Sequence, residues 1–128
     1  MIKIYTDGSC NKGNGGWAFI LIDEDNDEWH MSDGEKNTTN NRMELKAIIE
    51  ALKEVKENEF CEIYSDSMLC INCAEGKWKR NKNLDLWKEY DMISKNKKIK
   101  FIWIKGHSGD KYNEMVDKIA FNEMKNLN

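Results

Sequence analysis

Alternation of apolar and polar side chains predicts a β-strand at the start of the chain. Residues 2–7 read Ile-Lys-Ile-Tyr-Thr-Asp, and Gly8 then interrupts the period of two. We therefore expect this strand to end on Asp7. A second extended run, residues 61–66, also has an aspartate, Asp66, at its carboxyl end. If the two strands lie side by side, their carboxylates share one edge of a sheet, where ligands bind in open α/β folds.

The rest of the chain alternates between short apolar runs and stretches with helical spacing. Residues 42–56 carry apolar side chains three and four positions apart, which is typical of a helix packed on a sheet. The pattern predicts a turn at 11–16, further strands at 17–22, 28–34 and 99–104, and helices at 42–56, 67–74, 84–94 and 113–124. The strand-helix-strand order favours parallel packing of the first and fourth strands. The predicted fold class is α/β, with a single domain over residues 1–128.

Four acidic residues stand at comparable positions in these elements. Asp7 and Asp66 end two strands, and Glu44 and Asp117 fall near the starts of two helices. If both helices begin at the same rim of the sheet, the four carboxylates converge, and a hard cation such as Mg²⁺ would relieve their repulsion. Two simpler interpretations compete. Asp7 and Gly8 form a common turn pair, and a carboxylate in the first turn of a helix, as expected for Glu44, suits the helix dipole.

Charge is distributed unevenly along the chain, whose formal net charge is −3. Residues 23–35 are acidic with no Lys or Arg, whereas residues 77–100 carry nine basic side chains against three acidic ones. One end of the molecule is therefore locally basic, which suits a nucleic-acid partner. A solvated lysine-rich surface is the alternative, and it is the commoner reason for such a run.

Composition excludes several classes of protein. No apolar run approaches the length of a membrane span, and no charged leader with an apolar stretch opens the chain. Of the cysteines Cys10, Cys61, Cys70 and Cys73, the last two form a Cys-x-x-Cys pair, but no second Cys or His pair completes a zinc site. We therefore expect Cys70 and Cys73 to be buried in a helix. We also expect a cytoplasmic monomer with no membrane partner.

Six segments together resemble the type 1 ribonuclease H family over nearly the whole chain. They lie at residues 5–10 (YTDGSC), 38–45 (TTNNRMEL), 64–67 (YSDS), 83–87 (NLDLW), 103–109 (WIKGHSG) and 113–117 (NEMVD). The first segment alone would be a weak signal, but the order and spacing of all six are specific. The resemblance implies an RNase H-like fold, in which helices flank a mixed five-stranded sheet ordered 3-2-1-4-5 with the second strand antiparallel.

The resemblance also implies an activity, a cofactor and a partner. The family's enzymes cut the RNA strand of RNA–DNA hybrids endonucleolytically with two Mg²⁺ ions, for which Mn²⁺ can substitute, and leave 5′-phosphate and 3′-hydroxyl ends. Asp7, Glu44, Asp66 and Asp117 match the metal-binding carboxylates, and Asp7 is expected to bridge both ions. His107 matches a histidine on a mobile loop that assists proton transfer or product release. An exposed loop residue is the alternative for His107, although histidine suits proton exchange near neutral pH.

Substrate recognition is implied for several asparagines, because short polar side chains can bind the 2′-hydroxyls in the minor groove of RNA. Asn40 and Asn41 match the family's hydroxyl and minor-groove readers. Either Asn11 or Asn14 would supply a third, and the choice between them stays open because the loop after Cys10 is shorter than in many members.

Two other residues match positions that hold a phosphate of the DNA strand. They are Thr39 and Asn83, for which helix capping is the alternative and a compatible role. Residues 75–83 are too few for the extra helix of the basic protrusion in many bacterial members. Basic and aromatic side chains in this stretch would replace it in part, with weaker hybrid affinity and stronger salt dependence: Lys77, Trp78, Lys79, Arg80 and Lys82.

Other functions are weaker matches to these residues. Another metal-dependent nuclease of the same superfamily should lack the segment at 38–45. A non-catalytic hybrid-binding domain would have lost at least one carboxylate, and all four are present. A fragment of a reverse transcriptase is a further alternative, but Met1 and a complete final helix favour a free-standing protein with no separate hybrid-binding domain.

Overall fold

The fold is a five-stranded sheet with helices on both faces, seen in a computed structural model that describes residues 1–127. In chain order the elements are β1 (Ile2–Asn11), β2 (Asn14–Ile22), β3 (Glu28–Glu35), α1 (Asn40–Leu52), β4 (Phe60–Ser65), α2 (Met68–Ala74), α3 (Leu84–Ser94), β5 (Lys98–Trp103) and α4 (Lys111–Lys125). The strands are ordered β3-β2-β1-β4-β5, with β1 antiparallel to β2 and parallel to β4. The predicted fold class, strand order and antiparallel second strand are confirmed.

Helices cover both faces because the central strands are apolar on both sides. Residues 15–22 of β2 are all buried. On one face Phe19 and Ile63 pack with α1 and with side chains of α2 and α3, and on the other face Ala18 and Ile20 pack with α4. Strands buried on both faces read as continuous apolar runs, which is the pattern of β2.

The first strand continues beyond Asp7 to Asn11, so the prediction that it ends on Asp7 was wrong. Its two neighbours stop pairing with it at different points. The parallel ladder with β4 ends where Tyr5 lies opposite Tyr64, whereas the antiparallel ladder with β2 runs on to Asn11. Asp7 therefore lies within a strand but beyond the end of the parallel ladder. The turn interpretation of Asp7 with the next residue was wrong for the same reason.

The hairpin turn is shorter than the predicted turn at residues 11–16. Only Lys12 and Gly13 lie between the strands, with φ of 51° and 83°, and left-handed values at both positions match a tight two-residue hairpin. Gly16, which sequence pattern assigned to the turn, lies in β2, where an added β-carbon would collide with the backbone of α4 at Ala120 and Met124. Close helix packing, not turn formation, requires this glycine.

Helix α1 begins at Asn40, two residues earlier than predicted, and ends at Leu52. Thr39 caps it, because its hydroxyl accepts a hydrogen bond of 3.3 Å from the backbone N–H of Arg42. Glu44 consequently lies in the second turn, and the first turn holds no acidic residue. The helix-dipole interpretation of Glu44 was therefore wrong.

Helix α4 also begins earlier than predicted, at Lys111. The Asp110 carboxylate caps it by accepting a hydrogen bond of 2.9 Å from the backbone N–H of Asn113. Asp117 lies nearly two turns into the helix rather than near its start.

Two smaller predictions concern the cysteines and the membrane. Cys70 and Cys73 are buried in α2, as predicted. Within residues 1–127, no helix combines the length and apolar character needed to cross a bilayer.

Candidate active site

Three carboxylates from three different elements meet at one edge of the sheet. Asp7 of β1, Glu44 of α1 and Asp66, which directly follows β4, each place one carboxylate oxygen within 4.8 Å of the others. Gly8 makes this possible, because a β-carbon there would collide with the backbone of Met43 and Glu44. The missing side chain allows α1 to approach β1 closely enough to bring Glu44 beside Asp7.

The fourth predicted carboxylate, Asp117, adjoins this group from α4. Asp117 lies close enough to raise the pKa of both Asp7 and Asp66. The structure therefore brings three of the carboxylates together directly, while Asp117 lies at their border.

The backbone around Asp66 is held on two sides. The hydroxyl of Ser65 accepts a hydrogen bond of 3.1 Å from the backbone N–H of Ser67. The indole Nε1 of Trp103 donates one of 3.2 Å to the Asp66 carbonyl. An added β-carbon at Gly106 would lie 3.1 Å from Oδ2 of Asp66. Asp66 is thus confined by groups from β5 and the loop that follows it.

Burial and mutual repulsion disfavour ionisation of these carboxylates. Burial raises the pKa of Asp7 to about 8; a hydrogen bond from Glu44 opposes the shift, and the charge of Asp66 adds to it. Burial and then the neighbouring Asp7 charge raise the pKa of Glu44 well above its usual range. Burial and the Asp117 charge raise the pKa of Asp66. Positive charge is what would keep such a group ionised.

The donor set fits a hard divalent cation. Glu44 is half-buried overall, but its Oε2 atom is buried and has no hydrogen-bond partner among residues 1–127. An unpartnered buried acceptor is costly in a folded protein unless another group satisfies it. The available donors are all carboxylate oxygens, which Mg²⁺ and Mn²⁺ favour over thiolates or imidazoles.

Another group of acids, Asp23, Asp25 and Asp27, lies in the turn between β2 and β3. The Asp23 carboxylate accepts hydrogen bonds of 2.9 and 3.0 Å from the backbone N–H groups of the other two. This turn is explained by local hydrogen bonding.

His107 lies on the exposed loop between β5 and α4, with a left-handed φ of 56°. Its charge acts to lower the pKa of Asp66, against the larger effect of burial. The structure thus places His107 close enough to influence the carboxylate group electrostatically.

The four asparagines that match substrate readers lie on two adjoining elements. Asn11 and Asn14 face each other across the end of the β1–β2 hairpin. Asn40 and Asn41 are the exposed first two residues of α1. A backbone hydrogen bond of 3.0 Å joins the hairpin turn to the segment before α1. The hairpin end and the start of α1 are therefore neighbours, and they belong to the elements that carry Asp7 and Glu44.

A cleft of about 280 Å³ lies between the start of α1, helix α2 and the stretch before α3. Its polar lining includes Asn41, Lys79, Arg80, Lys82 and Asn83, and its floor includes Leu45, Cys70, Cys73 and Trp87. Several of the predicted substrate-binding residues thus share one concave surface.

Asn83 does not cap α3 with its side chain, so the capping interpretation was wrong for Asn83 and is confirmed only for Thr39. Its φ is 58°, and its side-chain oxygen instead accepts a hydrogen bond of 3.3 Å from Arg42. The left-handed backbone turns Asn83 away from the usual cap geometry.

Arg42 is a site residue that sequence reasoning missed. Its guanidinium makes two hydrogen bonds to the Asp85 carboxylate, of 3.0 and 2.8 Å, besides the one to Asn83. This pairing holds the pKa of Asp85 at about 2. Arg42 lies inside one of the matching segments, but its partner is 43 residues away, and no local pattern indicates such a contact.

In the basic stretch before α3, one side chain packs against the helix and the others are exposed to solvent. Arg80 lies with its guanidinium 4.3 Å from the centre of the Trp87 ring and donates hydrogen bonds of 2.8 Å to Asp91. Trp78 is 49% exposed, and Lys79 is exposed as well. Arg80 therefore fixes the stretch to α3, while Trp78 and Lys79 face solvent.

Comparison with known proteins identifies the family. A sequence model described as RNase H matches residues 1–125. Ribonuclease H of Acetivibrio thermocellus is 46% identical over 97% of this chain and 95% of its own. Ribonuclease HI of Campylobacter jejuni is 46% identical over 93% of this chain and 88% of its own.

Solved structures share the architecture. The N-terminal RNase H domain of Rv2228c from Mycobacterium tuberculosis, solved as a fusion with maltose-binding protein, has a TM-score of 0.85 at 20% identity and covers 98% of this chain and 94% of that one. LC11-RNase H1 in complex with an RNA/DNA hybrid has a TM-score of 0.82 at 22% identity and covers 99% of both chains. At these identities the structural likeness shows the fold alone. The family is shown by the sequence matches: the chain belongs to the ribonuclease H family of enzymes.

Proposed function

We propose that this chain is a metal-dependent endonuclease that hydrolyses the RNA strand of RNA–DNA hybrids. The observation that carries the proposal is the meeting of Asp7, Glu44 and Asp66 within 4.8 Å, with a buried, unpartnered oxygen on Glu44. Relatives that carry the name ribonuclease H and a protein of the same fold bound to an RNA/DNA hybrid support the substrate class.

The four carboxylates would hold two Mg²⁺ ions, and Mn²⁺ would substitute. When bound, such ions activate a water molecule and neutralise charge on the leaving oxygen. Asp7 would be the ligand shared by both ions, because its carboxylate lies within 4.8 Å of those of Glu44 and Asp66 and also senses Asp117. Water adds to phosphorus and the bond to the 3′-oxygen breaks, which leaves 5′-phosphate and 3′-hydroxyl ends.

His107 would exchange a proton near the scissile phosphate or assist product release. Its loop is exposed, and Gly109 in the same loop has a left-handed φ of 90°. A histidine in such a loop can change protonation near neutral pH and can move without disturbing the sheet.

Selectivity for a hybrid would come from the polar residues around the hairpin and the start of α1. Asn40, Asn41 and either Asn11 or Asn14 would bind 2′-hydroxyls and base edges in the minor groove. Asn11, Asn40 and Asn41 belong to the elements that carry Asp7 and Glu44, so the strand recognised by these residues would be the strand that is cut.

The DNA strand would be held in the cleft and along the basic stretch. Thr39 and Asn83 would bind a phosphate, and Trp78 and Lys79 would extend the contact over the exposed surface. Arg80 would contribute by keeping that stretch on α3, since its own guanidinium already contacts Trp87 and Asp91.

Cleavage of matched end-labelled RNA–DNA, RNA–RNA and DNA–DNA duplexes tests the proposal, with Mg²⁺ or with a chelator. The inactive variant is Asp7→Asn, and the matched control is Asp25→Asn, which makes the same change in the exposed turn after β2. We expect Mg²⁺-dependent cutting of RNA in the hybrid alone, retained in the Asp25 variant and lost in the Asp7 variant.

Other outcomes would redirect the assignment. Hybrid binding without cutting by the wild-type protein would indicate a non-catalytic binding domain. Cutting of DNA–DNA duplexes would indicate another nuclease of the superfamily. Cutting that survives Asp7→Asn would show that the acidic group is not the active site.

A further inference from the structure

Three tyrosines pack against one another on the α4 side of the sheet. The rings of Tyr5 and Tyr64 stack with centroids 4.5 Å apart and an interplanar angle of 9°. The ring of Tyr112 lies 5.1 Å from that of Tyr5, tilted by 33°. These separations lie in the range where aromatic pairs attract each other beyond simple burial. We call Tyr5, Tyr64 and Tyr112 the tyrosine cluster.

Each ring belongs to an element that carries, or is directly followed by, one of the candidate carboxylates. Tyr5 precedes Asp7 by two residues on β1, and Tyr64 precedes Asp66 by two residues at the end of β4. Side chains two residues apart on a strand lie on the same face. Tyr5 and Asp7 therefore share one face of β1, and Asp66 directly follows the strand whose Tyr64 ring stacks on Tyr5.

The stack lies where the backbone pairing between β1 and β4 ends. Tyr5 opposite Tyr64 is the last paired position between β1 and β4. Beyond it, backbone pairing no longer fixes the separation of the two strands, although Asp7 and Asp66 must keep a set distance to share a cation. The stacked rings, with a hydrogen bond of 3.5 Å from the Thr6 hydroxyl to the Tyr64 carbonyl, join the two strands just before the two carboxylates.

Tyr112 links the third acidic element to the same stack. It is the second residue of α4, the helix that carries Asp117. Its hydroxyl donates a hydrogen bond of 3.1 Å to Glu28 of β3, while its ring packs on Tyr5. The start of α4 is thus attached both to the centre of the sheet and to its edge.

We propose that the tyrosine cluster positions Asp7, Asp66 and Asp117 for metal binding. The tyrosines are positioning residues, because they act through the three carboxylate-bearing elements. This inference rests on the proposed function, since it assumes that these carboxylates hold the catalytic ions. A cluster that served only for packing would affect the free energy of unfolding and leave the metal affinity of the folded protein unchanged.

Matched substitutions separate positioning from packing. Tyr112→Leu and Tyr64→Leu remove a ring, whereas Tyr112→Phe and Tyr64→Phe keep it. Tyr90→Leu is the control, because Tyr90 is a buried partner in another aromatic pair, 5.3 Å from Trp87, on helix α3, which carries none of the four carboxylates. Mn²⁺ binding is measured by electron paramagnetic resonance without substrate, at a temperature where circular dichroism shows each variant folded.

We expect each leucine variant of the cluster to bind Mn²⁺ about fivefold more weakly, the factor that corresponds to loss of one aromatic contact. Tyr64→Phe and Tyr90→Leu should bind as the wild type does, and Tyr112→Phe, which keeps the ring but loses the hydrogen bond to Glu28, should lose less affinity than Tyr112→Leu. Unchanged binding in Tyr112→Leu and Tyr64→Leu, or an equal loss in Tyr90→Leu, would overturn the inference. If Tyr64→Leu does not fold, Tyr112→Leu decides the matter, because Tyr112 is partly exposed on the helix surface.

Hybrid cleavage by the wild type is measured in parallel and distinguishes the two proposals. A wild type that cuts hybrids, with Tyr112→Leu and Tyr64→Leu variants of normal Mn²⁺ affinity, would refute only the role of the tyrosine cluster. A wild type that binds Mn²⁺ but cuts no hybrid would refute the proposed function.

Discussion

The indole Nε1 of Trp103 donates a hydrogen bond of 3.2 Å to the backbone carbonyl of Asp66. This contact joins the end of β5 to the backbone of a residue of the candidate active site, just after β4 has ended. Trp103 is 46% exposed, so its indole contributes little to the core and its hydrogen bond fixes the backbone beside the site.

Replacing Trp103 by Phe should therefore impair Mg²⁺-dependent cleavage more than it lowers the free energy of unfolding. A net hydrogen bond contributes about 1 kcal/mol, and its loss corresponds to about a fivefold rise in the Mg²⁺ concentration for half-maximal cleavage. A Mg²⁺ titration of hybrid cleavage measures this. Trp29→Phe on β3 is the control, and an equal shift in that variant would show that the effect is not specific to Asp66.

The stability of the metal-free protein should depend on pH through Asp7. Burial raises its pKa from 3.8 to about 8, so the folded state binds a proton more tightly than the unfolded state. The contribution of Asp7 to the free energy of unfolding is fully present below about pH 4 and is lost as the pH rises towards 8. Urea denaturation in chelator should therefore show a decline over this range.

Asp7→Asn isolates this contribution, because the amide stays neutral. At pH 8 without metal the variant should be more stable than the wild type by on the order of a few kcal/mol, and the difference should shrink towards pH 4. Added Mg²⁺ should stabilise the wild type and not the variant. A variant that is less stable at pH 8 would contradict the burial of an unneutralised carboxylate at this position.

His107→Ala should slow hybrid cleavage by about 10²-fold without abolishing it, as expected for loss of a proton-transfer group. Asp7→Asn should leave no measurable cleavage under the same conditions. Single-turnover rates across pH 5.5–9 test the difference, because loss of a titrating group also alters the pH profile. Equal losses in the two variants would contradict the division of roles between carboxylates and histidine.

Substitutions of Thr39 and Asn83 should differ in their effect on stability and agree in their effect on hybrid binding. Thr39→Ala should lower the free energy of unfolding by about 1 kcal/mol, since it removes the cap of α1, whereas Thr39→Ser should retain it. Asn83→Gly keeps the left-handed backbone accessible and removes no cap hydrogen bond, so its stability should change less. Both Thr39→Ala and Asn83→Gly should weaken hybrid binding, and normal binding in both would remove the phosphate role.

Lys79 should contribute to hybrid affinity through phosphate contact. Lys79→Ala should lower the slope of log affinity against log salt by about 1. Lys53→Ala is the control, because the Lys53 ammonium pairs with Glu50 at 2.7 Å on α1. Fluorescence anisotropy with a labelled hybrid measures both slopes. An unchanged slope in Lys79→Ala would show that the basic stretch does not touch the substrate.

The sequence by itself was enough to predict the strand order, through its resemblance to a family, and to single out four candidate carboxylates. Periodicity located all nine helices and strands of the described residues to within a few positions. Apolar runs and helical spacing are local consequences of burial, so they can be recognised without the fold. Matching segments then pointed to Asp7, Glu44, Asp66 and Asp117, because an all-carboxylate metal site requires those residue types in fixed places.

Only the tertiary structure decided how those residues are held. Asp7 lies inside a strand because β2 continues to pair with β1 after β4 has stopped, and pairing between separate strands has no local signature. Arg42 contacts Asp85 across 43 residues, Asn83 adopts a left-handed backbone instead of capping a helix, and the tyrosine cluster joins three elements. Such contacts depend on packing between distant parts of the chain, and no pattern within one segment specifies them.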